Sequence, residues 1–286
     1  MGFEFKSILF PVDFSPHCQT VWPAVRSMSQ RFNAQVAILH VVPVVEPFYA
    51  GVEPYYLIPL DVESMQREAR QRLLSAFGAD GIRIKAHVES GDPAICISDF
   101  AAANQIDLIM MPSRGCGKFR SLVIGSTATK VLHDVHCPVW VSESATLSEG
   151  AAEARYGSVI AAVDLSSEAP KIIRHALDFA KSFNSALRLV HAMPAETDMA
   201  APFSTYVHSL EEDAREHLGR LLQQLGLTAP VSVGTGRVSE VVRRAAMDHK
   251  ADLVVIGRGR MTKTLGRLRT NAYAIIRDAP CPVLTF

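Results

Sequence analysis

Apolar positions along this chain follow two alternating rhythms. Ile8-Leu9-Phe10-Pro11-Val12 is a short, unbroken apolar run, as in a strand covered on both faces. Asp13-Phe14-Ser15-Pro16 then supplies a turn, a helix N-cap and a first-turn proline. Val21, Val25, Met28 and Phe32 follow at steps of four, three and four, one face of a helix. Pro23 falls inside that face and predicts a kink or a delayed start. Residues 36–39 predict a second strand, and Val62, Met65, Ala69, Leu73 and Ala76 a second helix. Ile82, Ile84, Ala86 and Val88 alternate as a third strand. Gly91-Asp92-Pro93 opens a third helix through Ala103, residues 106–111 form a fourth strand, 125–133 begin a fourth helix and 138–141 form a last strand.

The pattern then repeats. Ser7-Ile8-Leu9-Phe10-Pro11-Val12-Asp13 reads like Ser158-Val159-Ile160-Ala161-Ala162-Val163-Asp164, and His40-Val41-Val42-Pro43 like His191-Ala192-Met193-Pro194, both 151 residues apart. Asp107-Leu108 returns as Asp252-Leu253, and Cys137-Pro138-Val139 as Cys281-Pro282-Val283, at offsets of 145 and 144. The shrinking offset places a longer insertion in the middle of the first copy. Units of this length are tandem domains, since solenoid repeats are much shorter. We take them as 1–145 and 156–286, joined by a linker over 145–156 rich in Ala, Ser, Glu and Gly. The second copy carries helix positions at Ile173, Ala176, Leu177 and Ala180, then at Val207, Leu210, Ala214, Leu218, Leu221 and Leu225. Alternating strands and helices with short connections give an α/β fold, a doubly wound parallel sheet with helices on both faces. Ligands of such sheets bind beyond the carboxyl ends of the strands.

Composition narrows the function classes. The chain has 286 residues, of which 48% are hydrophobic and 20% charged, so it buries ordinary globular cores. Lys plus Arg and Asp plus Glu both number 29, which gives no general attraction to nucleic acid or anionic membrane. No apolar run reaches the length of a spanning helix and no secretory leader is visible, so a cytoplasmic protein is expected. Cys18, Cys96, Cys116, Cys137 and Cys281 show neither disulfide-framework nor zinc-ligand spacing. Cys116 is the most interesting of them, because it lies in a glycine-rich loop.

That loop runs from Pro112 to Thr127 and holds Gly115, Gly117 and Gly125. Glycines admit an anion close to backbone amides, and Gly125-Ser126-Thr127 opens a helix whose free N–H groups favour phosphate. A plain turn with an N-cap accounts for the same residues. Asp13 ends the first strand on the same edge, where a carboxylate accepts from a ribose hydroxyl or a base amine, or else caps a helix.

With these residues in place, the chain resembles a tandem universal stress protein over nearly its whole length. Gly115, nine intervening residues, Gly125 and Ser126 fit the latter part of that family's glycine motif, and Leu132-His133-Asp134-Val135-His136-Cys137-Pro138-Val139 is similar to its approach to the last strand. Pro112 stands where the motif's first glycine belongs. The resemblance implies Rossmann-like domains of the adenine nucleotide alpha hydrolase type and a bound adenine nucleotide, ATP, with Mg as a possible companion. It implies that Pro11, Asp13, Val41 and Met111 flank adenine and ribose, and that Gly115, Gly125, Ser126 and Thr127 hold phosphates. It also implies dimerisation of the chain, and pairing of the two copies through their last strands, 138–141 and 282–285.

The second copy departs further. Gly257 matches the first glycine, but Arg260 replaces the second and Thr270-Asn271 replaces the glycine-serine pair, so its ATP mode is expected to be lost. Its loop carries Arg258, Arg260, Lys263, Arg267 and Arg269, which suit a solvated face, a domain interface or a different anion site. His133, His136 and Cys137 form a ligand set on paper, although histidine also favours a helix C-terminus. His40 and His191 read as hydrogen-bonded strand-end residues. Phe48, Tyr49, Tyr55 and Tyr56 of the insertion suit an interface or a lid. There is no nucleophile elbow and no Walker lysine, so an enzyme is the weakest reading. The leading expectation is a stress protein regulated by ATP in its first domain, with an unidentified protein partner. A nucleotide-independent assembly module is the alternative.

Overall fold

A computed structural model of the protein describes residues 4–43, 61–78, 81–115, 124–142, 155–193, 204–258 and 267–286, with backbone alone at 204–208 and 267–270. The first half runs β1 (Ser7–Pro11), α1 (Pro16–Phe32), β2 (Gln35–Val42), α2 (Val62–Phe77), β3 (Ile84–Ser90), α3 (Pro93–Ala103), β4 (Leu108–Pro112), α4 (Ser126–Asp134) and β5 (Val139–Ser142). The second runs β6 (Ser158–Ala162), α5 (Ala169–Phe183), β7 (Ala186–Met193), α6 (Ser204–Gln224), β8 (Val231–Thr235), α7 (Val238–Asp248), β9 (Leu253–Ile256), α8 (Arg267–Asp278) and β10 (Val283–Thr285).

All ten strands join one sheet in the order β3-β2-β1-β4-β5-β10-β9-β6-β7-β8. Pairing is parallel within each half. Between the halves β5 and β10 pair antiparallel, with Trp140 opposite Leu284, as the expected last-strand pairing requires. Successive residues of a strand face opposite sides of the sheet, so each strand feeds two cores. Ile8, Phe10, Leu108, Met110 and Trp140 pack on the side of α1 and α5. Leu9, Ile109, Met111, Val139 and Val141 pack on the side of α3, α4 and α7. Both cores continue without a break into residues of the second half.

The repeat is visible in small devices. The Asp107 carboxylate accepts from the N–H groups of Lys6 and Ser7, and Asp252 does the same for Gly157 and Ser158, pinning the first strand of each half. Asn33 and Asn184 end α1 and α5 in the left-handed conformation. Such residues close a helix while keeping a backbone donor for its last carbonyls.

Two expectations need correction. Helix α1 starts at Pro16 and runs through Pro23 without a break, so Pro23 does not delay it. Val21, Trp22, Ala24, Val25 and Met28 are all buried around that proline, and their packing outweighs the one backbone bond it removes. Tyr156, at the end of the expected linker, is a core residue, 4% exposed, with its ring against Phe179 and Phe183. The insertion aromatics, Cys116, Arg260 and Lys263 lie outside the described residues, as does most of the linker.

Candidate functional site

The order of strands within each half reverses between its first and fourth strands, so the chain leaves β1 and β4 in diverging directions. This is where an open α/β sheet forms a crevice. In the first half the crevice is a cavity of about 870 Å³. Pro11, Asp13, Val41, Met111, Gly115, Gly125, Ser126 and Thr127 all line it, drawn from β1, β2, β4, α4 and the turns beside them. Leu39 and Ile97, both buried, complete an apolar end beside Val41 and Met111. Cys18, Ser113, Arg114 and Lys130 also line it, and sequence reasoning had not singled them out for the site.

Asp13 is fixed from two sides. Its Oδ1 accepts from the Ser15 N–H at 2.9 Å and from the Cys18 thiol at 3.2 Å. Burial, with the Asp13 charge beside it, pushes the Cys18 thiol up to about 12, so it stays protonated and keeps donating. The next residue, Phe14, has φ +58°, a left-handed conformation that is uncommon for a bulky side chain. Its ring packs on His40, with centroids 4.6 Å apart, and beneath the Arg72 guanidinium at 4.1 Å. These contacts hold a bend costing roughly 1–2 kcal/mol. His40 Nδ1 meets the Val12 carbonyl at 2.7 Å, as His191 meets Val163 at 2.8 Å, so both histidines bond at strand ends as expected.

Gly115 faces Asp13 so closely that a Cβ there would stand 2.2 Å from Asp13 Oδ2. Only glycine leaves this wall open while the carboxylate keeps its place. The Gly125 N–H donates to the Ser113 carbonyl at 2.8 Å, which brings the N-terminus of α4 against the end of β4. Gly125 is the N-cap and provides no side-chain cap. The helix itself offers no acceptor to the N–H groups of Ser126, Thr127 and Ala128. Those amides border the cavity together with the Ser126 and Thr127 hydroxyls.

Charge favours an anion. Arg114 and Lys130 line the cavity, and among the described residues Asp13 is its one carboxylate. Lys130 Nζ also meets Asp92 Oδ2 at 3.0 Å, and that bond lowers the Asp92 pKa. A polyphosphate therefore fits the residues present at the α4 end. A protein-held magnesium does not, because a single, already engaged carboxylate supplies no cation cage. Pro112 acts on one wall only. The N–H groups of Ile109 and Ser113 donate to β5 carbonyls or to the residue just before that strand, so by alternation an N–H at 112 would face β1. The proline removes one donor there and leaves the α4 amides intact.

Two described residues of the second half show what stands at the equivalent positions. The Asp164 carboxylate is taken up by the Ser166 N–H and hydroxyl. Arg258 donates to the carbonyls of Val135 and Cys137 in the first half, so this member of the basic loop belongs to the domain interface. His133 meets Asp134, and among the described residues no three His, Cys, Asp or Glu side chains gather as a metal site. Cys18, Cys96, Cys137 and Cys281 are free thiols. Among the described residues no helix is long and apolar enough to cross a membrane.

Comparison with known proteins places the fold. A universal stress protein of Thermus aquaticus is 32% identical over 136 residues, covering 47% of this chain and 96% of that protein. A universal stress protein of Mycobacterium tuberculosis is 22% identical over 250 residues, covering 86% of this chain and 84% of its own length. The crystal structure of a universal stress protein from Archaeoglobus fulgidus superimposes with a TM-score of 0.68 at 20% identity, covering 99% of this chain and 97% of that one. The sequence matches the universal stress protein family twice, over residues 4–142 and 155–286, and with both halves of its sheet accounted for the chain belongs to that family as a tandem protein.

Proposed function

We propose that the first half binds an adenine nucleotide, ATP, as a regulatory ligand in a stress response. One observation carries this reading: eight residues from four separate elements and their adjoining turns converge on a single cavity with an apolar end and an amide-rich, cationic end. The base would lie against Val41, Met111 and Ile97, and Asp13 would face the ribose. The phosphates would run past Gly115 to the amides of Ser126, Thr127 and Ala128. Arg114 and Lys130 match the charge, and any magnesium would be held by the phosphates themselves. Among the described lining residues none stands as a general base, since Asp13 Oδ1 already accepts two hydrogen bonds, so any hydrolysis would be slow. Calorimetric titration of the full chain with ATP, GTP and adenosine tests the reading. ATP binding tighter than the other two supports it, and no heat with ATP overturns it.

Pro112 favours a second reading, an assembly module that works without nucleotide, because it removes a donor from the crevice wall. A P112G variant that gains ATP binding absent from the natural chain would support that alternative. Dimerisation of the chain, a cytoplasmic location and a protein partner complete the proposal. Sedimentation of the purified protein tests the first of these.

A further inference from the structure

The two halves differ at an equivalent position just beyond the fourth strand, one residue past β4 and two past β9, where a backbone N–H reaches the end of the last strand. In the first half it is Ser113, whose N–H donates to the Ser142 carbonyl and whose own carbonyl holds Gly125 at the cavity wall. In the second it is Arg258, whose N–H makes the corresponding bond to Phe286. The Arg258 side chain then leaves its own half. Its two terminal nitrogens donate to the carbonyls of Val135 and Cys137, and Nε donates to the Thr285 hydroxyl at 3.0 Å. That hydroxyl donates onward to Val139 at 3.3 Å. Val135 is the C-cap of α4, so the guanidinium sits at the helix's negative end. A second tie comes from α8, where the Tyr273 hydroxyl donates to the Thr129 carbonyl of α4 at 3.0 Å. Thr129 also lines the cavity.

We infer that Arg258 and Tyr273 are positioning residues for the first-half cavity: the second copy, its own glycine pair replaced, clamps α4 and so sets how its N-terminal amides are presented. Helix α4 has nine residues, too few to hold a position by intrinsic helicity. Its axis is set by what grips it. Within the first half Gly125 and Lys130 tie it to Ser113 and Asp92; the second half adds one grip just past its C-terminus, at Val135 and Cys137, and another in its middle, at Thr129. Neither residue lines the cavity, so neither acts by touching a ligand. A cation at the negative end of α4 and an anion at the positive end also favour the same helix dipole.

The test uses the full chain as R258M, R258K and Y273F, with amide hydrogen exchange over 126–131 and ATP titration. The affinity measurement rests on the nucleotide reading of the cavity, while the exchange measurement does not. The expected result is faster exchange in α4 for R258M and Y273F, with ATP affinity lowered about fivefold or more. R258K falls between, because an ammonium cannot fork two carbonyls. Should R258M fail to fold, Y273F, which loses one hydroxyl, decides the matter. Unchanged α4 exchange in a folded variant overturns the inference. So does faster exchange with ATP affinity equal to that of the natural chain. If the natural chain binds no ATP, the nucleotide reading falls and exchange alone decides the clamp.

Discussion

Single residues at this site act through what stands next to them. Gly115 is required by distance: a Cβ would meet Asp13 Oδ2 at 2.2 Å. G115A forces the carboxylate off Ser15 and Cys18, and ATP affinity is expected to fall about tenfold, read by calorimetry with the melting temperature as control. Sequence alone exposed Gly115 and Asp13 as candidates, because glycine and acid at strand ends are conspicuous. It gave no sign of Phe14, whose left-handed backbone follows Asp13 and whose counterpart Leu165 does not share it. Nothing in a phenylalanine announces positive φ; the ring's contacts with His40 and Arg72 impose it. Away from the site, His175 lies flat on Phe286, with centroids 4.3 Å apart, and burial lowers its pKa from 6.5. The unfolded chain then binds the proton more readily, so stability is lost as pH falls through about 6.5 toward the folded value. H175F keeps the stack and removes the proton. Its urea midpoint is expected to drop less between pH 7 and 5 than that of the natural chain.

Under the proposed nucleotide reading, stability and binding make opposite demands on helix α4. Gly125 at its N-cap has φ −59° and ψ 150°, a backbone open to any residue, and a Cβ there finds its nearest neighbour at 3.4 Å. The glycine is therefore replaceable on steric grounds. What it provides is the absence of a cap, which leaves amides to face the cavity. G125D would cap α4 itself and is expected to raise stability by a few tenths to about 1 kcal/mol. The same carboxylate would occupy the anion position and repel phosphate. Rising thermal stability with lost ATP affinity is the expected pair; affinity retained in G125D would place the phosphates elsewhere. Helix α3 shows the ordinary arrangement, with Asp92 capping Ala94 and Ile95 at its N-terminus. Its start was legible from Asp92-Pro93, as was the α1 face from Val21 to Phe32, whereas the undelayed start of α1 ahead of Pro23 was not, because burial of a whole helix face outweighs a local breaker.

Across the whole molecule, the two copies behave as one body because a single sheet and two cores run through both. Trp140 is fully buried on β5, opposite Leu284 of β10. W140A is expected to cost about 3–5 kcal/mol. Fluorescence and circular dichroism should report one shared unfolding transition for the natural chain, and two separated midpoints would contradict the shared core. The antiparallel seam explains the place of Arg258. Arg258 lies close enough to the seam to reach first-half carbonyls, and burial lowers its pKa without neutralising a group of such basicity.

The sequence by itself determined the tandem repeat, the order of strands and helices and the edge of the sheet where the crevice opens, since those follow from periodicity and from residues with special backbone needs. Tertiary structure alone decided that Gly115 presses on Asp13, that Phe14 bends the chain beside it and that Arg258 crosses to the other half. The physical reason is that these are contacts between residues distant in the chain, and hydrophobic pattern and local propensity carry no record of which side chains a fold will bring within a few ångströms of each other.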